Sequence, residues 1–120
     1  MKVLFDNNVP VGLRRHLVGH EVRTAAKLGW RELQNGDLLV AAEQAGFDVM
    51  VTGDKNLSYQ QNLAGRKLAL VVLATNNWGF LKENSAPVVA AVNRAEPGSF
   101  QAVRFENLPT RRRRGPSLDL

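Results

Sequence analysis

The sequence predicts an α/β domain built on a mainly parallel sheet, on three observations. Apolar, strand-like runs alternate with helix-like segments, the connections between them are short, and two of the runs stop at an aspartate. Parallel neighbours need a crossover connection, and the crossover is expected to be right-handed, so such a chain folds as a sheet of four to five strands flanked by helices.

Val3, Leu4 and Phe5 form a short apolar run that stops at Asp6-Asn7-Asn8, as a buried strand does before residues that favour turns and caps. Pro10 stands just inside the next segment, where its missing N–H costs nothing. Leu13, Leu17 and Val18 then recur at helical spacing up to Gly19, which predicts a first helix. Residues 20–24 read as a short strand with Val22 inward, followed by a small helical or irregular stretch over 25–29. Asn35-Gly36-Asp37 opens a clearer helix with an apolar face of Leu38, Leu39, Ala41, Ala42 and Ala45, and Gly46 ends it. Residues 47–52 contain Val49, Met50 and Val51 in succession, the pattern of a strand covered on both faces, and run into Gly53-Asp54-Lys55. Residues 68–73 repeat that pattern. Residues 86–94 read as a helix opened by Pro87, and 100–105 alternate as a final strand.

With 44% hydrophobic and 22% charged residues, the 120-residue chain has the composition of one globular domain. It has no cysteine, which excludes a disulfide framework, a Cys-ligated zinc site and a thiol nucleophile, and suits a reducing compartment, by default the cytoplasm. No signal-peptide pattern opens the chain, and its longest apolar stretches fall far short of the roughly 20 residues that span a bilayer, so a soluble protein without a membrane partner is expected. Net charge is +5, but Arg111, Arg112, Arg113 and Arg114 supply four of it; over residues 1–110 twelve basic residues face ten acidic ones, a net of +2. Residues 1–106 are read as the domain and 107–120 as a flexible basic tail, either merely solvated or able to bind a phosphate backbone or an acidic partner.

Ligands of open α/β sheets sit at the carboxyl ends of the strands, where Asp6 and Asp54 fall. Asp37 joins them if the first turn of its helix lies over the same edge. Three such carboxylates repel unless a cation is present, and oxygen ligands without cysteine favour Mg²⁺ or Mn²⁺ over zinc. That chemistry suits phosphodiester hydrolysis, with Asp6, Asp37 and Asp54 as catalytic metal ligands. Asn7, Asn8 and Asn76 are candidates to orient an acid, a water or a phosphate, and Thr52 and Lys55 to donate to bridging groups. Each acid also has a structural alternative: Asp37 as a helix cap, Asp6 and Asp54 as turn residues. Glu43 lies about 240° around its helix from Asp37 and is read as solvated. His16 and His20, near the end of the first helix, are read as structural.

Taken together, KVLFDNNVP, GHEVRTA, GDLLVAAEQAG and VMVTGDKNL resemble the PIN-like DUF5615 family over about residues 1–75. The resemblance implies a single PIN-like domain and a small metal-dependent ribonuclease, with RNA as substrate. It also implies a possible place as the toxin of a toxin–antitoxin pair, with an antitoxin protein and a homodimer as partners. Asp6 and the Thr52-x-Asp54 motif match the family pattern directly, and Asp37 matches the acid leading the central helix. Asn7 stands where members often carry a second acid, and no fourth acid is evident near Asn76. The competing reading is a PIN-like scaffold without turnover that binds RNA or an antitoxin-like partner. A receiver domain wants an acidic pair after the first strand, and a haloacid-dehalogenase phosphatase wants D-x-D there; Asp6-Asn7-Asn8 offers neither.

Overall fold

The computed structural model describes residues 1–33, 35–54, 63 and 65–105. Within them five strands form one all-parallel sheet: β1 (Lys2–Phe5), β2 (Glu21–Thr24), β3 (Val49–Thr52), β4 (Ala69–Leu73) and β5 (Phe100–Val103). Their order is β2-β1-β3-β4-β5. A 3-10 helix (Val11–His16) joins β1 to β2, α1 (Asn35–Gln44) joins β2 to β3, and α2 (Trp78–Leu81) and α3 (Ala86–Asn93) lie between β4 and β5.

Every residue of β3 and β4 is buried, which is why both strands read as unbroken apolar runs. Each fully buried Val or Leu there contributes roughly 1.5–3 kcal/mol of transfer free energy. Side chains alternate between two cores. Val3, Phe5, Val49, Val51, Val71 and Val103 face one side, under Leu13 of the 3-10 helix, Leu81 of α2, and Val88, Ala91 and Val92 of α3. Leu4, Met50, Leu70 and Val72 face the other, under Leu38, Leu39 and Ala42 of α1 together with Phe47. Gly46, with φ of 85°, turns the chain out of α1 as its position predicts.

The hands of the crossovers follow from these faces. From β1 the chain moves outward to β2 on the first face, then back across β1 to β3 on the second; reversing both direction and face gives these two connections the same hand. From β4 to β5 it again moves away from β1, but through α3 on the first face, so this last crossover has the opposite hand. Gln101 Nε2 of β5 donates to the Ala91 carbonyl of α3 at 2.8 Å, fixing the helix on that face. Nearly all such connections are right-handed, so the uniform hand expected from the sequence does not hold across these crossovers.

Two further elements differ from expectation. The first helix is 3-10 and six residues long, and Pro10 is its N-cap. Short 3-10 runs of this kind serve as connectors, and Gly12 within it lowers the propensity for a longer α-helix. The short helix α2 was not expected at all; Asn77 caps it, its Oδ1 accepting from the Phe80 N–H at 3.0 Å. His16 sits in the last turn of the 3-10 helix, its ring 6.4 Å from that of Trp78, and His20 Nε2 meets Asn93 Oδ1 at 2.7 Å. Among the described residues no helix is long and apolar enough to cross a membrane.

Candidate acidic site at the carboxyl edge

The strand order reverses between β1 and β3, the neighbours from which the chain departs to opposite sides, and a crevice outside their carboxyl ends is where doubly wound sheets take ligands. Asp6 follows β1 and Asp54 lies two residues past the end of β3. The Asp6 N–H continues the ladder, donating to the Val51 carbonyl at 2.9 Å, so the carboxylate is fixed by the sheet itself. It is also buried, at 8% exposure.

Thr52, fully buried, links the two acids. Its hydroxyl donates to Asp6 Oδ2 at 2.7 Å and accepts from the Asp54 N–H at 3.0 Å. The Asn7 N–H donates to the other oxygen, Asp6 Oδ1, at 2.7 Å. A carboxylate offers about four lone-pair sites, so these two bonds orient Asp6 and leave acceptor capacity on each oxygen. Asn8 braces the same junction: its Oδ1 accepts from the Gly53 N–H at 2.8 Å. A Cβ added at Gly53 would lie 3.6 Å from Cβ of Asn76, so the loops after β1, β3 and β4 meet here. The Asn7 side chain reaches outward, its Nδ2 donating to the Arg31 carbonyl at 3.0 Å, which ties in the loop after β2.

Asp6, Asn7, Asn8, Thr52, Asp54 and Asn76 are therefore neighbours at one edge. Asp37 is exposed in the first turn of α1, which begins at this edge because α1 leads from one parallel strand to the start of another. Among the described residues no group of three or more His, Asp or Glu side chains could hold a metal ion. A hard cation bound with retained waters needs only one or two carboxylates plus substrate phosphates, and the all-oxygen donor set of Asp6 and Asp54 fits that requirement. Lys55 and Arg111, Arg112, Arg113 and Arg114 lie outside the described residues, as do residues 107–120.

Sequence reading missed two features. Glu43 accepts from Arg66 Nη1 at 3.0 Å and from the Lys67 N–H at 2.7 Å, clamping α1 to the approach to β4. The Lys67 N–H is the main cause that holds the Glu43 carboxyl below its usual range; desolvation opposes it, and Arg66 and the Leu68 N–H add to the lowering. Cationic residues at positions 23, 27 and 31 also converge beside the site, and their regular spacing was the only signal of it. In comparisons with family models, curated proteins and solved structures, the chain finds no match.

Proposed function

We propose that the protein is a metal-dependent endoribonuclease of the PIN-like DUF5615 kind, hydrolysing phosphodiester bonds at the β1/β3 edge. The observation that carries this reading is the hydrogen-bonded chain from the Asp54 N–H through the Thr52 hydroxyl to Asp6, which holds acids from two strands at the switch point of a parallel sheet. Asp6 and Asp54, with Asp37 at the rim, would hold Mg²⁺ or Mn²⁺. When bound, the ion lowers the pKa of a coordinated water and stabilises charge on the leaving oxygen. Thr52 keeps Asp6 in one orientation, Asn8 keeps the Gly53 turn in place, and on this reading Asn7, Asn76 and Lys55 would meet a phosphate.

On this reading the protein works in the cytoplasm, is restrained by an antitoxin protein, and forms a homodimer. A second reading, a PIN-like scaffold that binds RNA or an antitoxin-like partner without turnover, is favoured by Asn7 in place of an acid and by the exposed position of Asp37. Cleavage of a mixed pool of structured and single-stranded RNAs with Mg²⁺, with Mn²⁺ and with EDTA separates the two. Metal-dependent cutting abolished in both Asp6→Asn and Asp54→Asn is the expected result. No cutting by the wild type, or equal cutting by the variants, removes the nuclease reading in favour of the scaffold.

A further inference from the structure

Beside the acidic edge, the outer side of β2 is cationic. A groove of about 480 Å³ lies between the 3-10 helix and the loop after β2, walled by Val11 and Val22 and carrying Arg14, Arg23, Lys27 and Arg31, with no acidic residue in its lining. Arg23 is answered by Glu21 at 3.1 Å, with both side chains about half exposed. Arg14, Lys27 and Arg31 have no carboxylate partner among the described residues. Converging cations in a concavity raise its potential and draw in anions, and guanidinium forks match phosphate oxygens in pairs.

The groove opens toward the candidate site. Thr24 in its wall is the register partner of Phe5, the residue before Asp6, and the Arg31 carbonyl holds Asn7. β2 lies beside β1, so the strand of the groove is next to the one that ends at Asp6 and two strands from the one that leads to Asp54. An acidic peptide leaving this groove would meet Asp6 and Asp54 carboxylate to carboxylate. A nucleic-acid strand presents evenly repeated phosphates, so one can rest among the cations while another reaches the acids and a bridging cation.

We infer that the groove along β2 is the track for the phosphodiester backbone of single-stranded RNA, held by Arg14, Lys27 and Arg31. The choice of RNA rests on the nuclease reading; the groove and its charge do not.

The test is fluorescence anisotropy of a labelled single-stranded RNA binding the full chain, in EDTA so that nothing is cut. Wild type is compared with Arg14→Gln/Lys27→Gln/Arg31→Gln and with a charge-matched control, Lys82→Gln/Arg94→Gln/Arg104→Gln. All six side chains are exposed, so both variants keep the fold, and both keep the arginine run. Losing three phosphate contacts is expected to weaken binding about tenfold or more and to flatten the log–log salt slope by about 2 between about 50 and 200 mM salt, with little change in the control. The inference is overturned if the groove variant binds like wild type, if the control loses as much, or if poly-glutamate or AMP competes as well as RNA does. The two readings fail separately: binding lost in the groove variant while wild type cuts nothing sinks only the nuclease, and cutting by wild type while the groove variant binds normally sinks only the track.

Discussion

Thr52 presents one hydroxyl to two partners, its proton to Asp6 and a lone pair to the Asp54 N–H. Thr52→Val keeps the shape and removes both bonds, leaving polar groups short of partners in a buried place. Urea unfolding is expected to register a loss of about 1–3 kcal/mol, with Thr52→Ser restoring most of it. If the protein is the proposed nuclease, RNA cleavage is expected to fall in the valine variant as well, since Asp6 loses its orientation. Asp6, Thr52 and Asp54 were legible because each sits at the end of an apolar run. Their connection was not, because Thr52 and Asp6 are 46 residues apart and no local pattern encodes a contact across strands. Glu43 teaches the same lesson: its helical angle correctly separated it from Asp37, but its partners, Arg66 and Lys67, come from the segment before β4. A carboxyl held below its usual range binds its proton less readily in the folded chain than in the unfolded one. Its stabilising contribution is therefore present above the unfolded value, about 4.3, and is lost as pH falls through the lower folded value. Urea midpoints measured from about pH 6 down to pH 3 should fall less steeply in Glu43→Gln than in wild type; parallel curves would remove Glu43 from the acid response.

Among the elements, α1, α3 and the five strands follow from apolar periodicity and from Gly46, Pro87 and the Asp-containing turns, so their positions were readable within a residue or two. The 3-10 helix was not, because Leu13 and Leu17 are spaced four apart and suit an α-helix equally. The turn before β5 depends on Gly98, which has φ of 75° and where an added Cβ would lie 2.8 Å from the Arg66 carbonyl oxygen. Backbone cannot yield as a side-chain tip does, so Gly98→Ala carries both left-handed strain and a clash. A loss of at least about 1–2 kcal/mol in thermal or urea unfolding is expected, against little change for a substitution at an exposed site such as Lys82.

For the whole molecule, the sequence disclosed the kinds of element but not their neighbours. That β1 and β3 are adjacent, and that Asp6 and Asp54 therefore share an edge, is a property of the β2-β1-β3-β4-β5 order, which forms through contacts distant in sequence. The cationic groove was hidden for the same reason: Arg14 joins Lys27 and Arg31 only when the 3-10 helix packs beside β2. β5 is an edge strand with one buried residue in four, whereas β3 is central and wholly buried. Amide hydrogen exchange should release the β5 protons well before those of β3, and equal protection of the two would mean that the sheet opens only as a unit. The hand of the last crossover bears on the same difference. The α3–β5 unit is opposite in hand to the crossovers around β1, so the tendency that steers most such units back onto the sheet does not serve both. The unit at the margin of the sheet is expected to dock last, which pulse-labelled hydrogen exchange during refolding would show as protection of β5 arriving after that of β1 and β3.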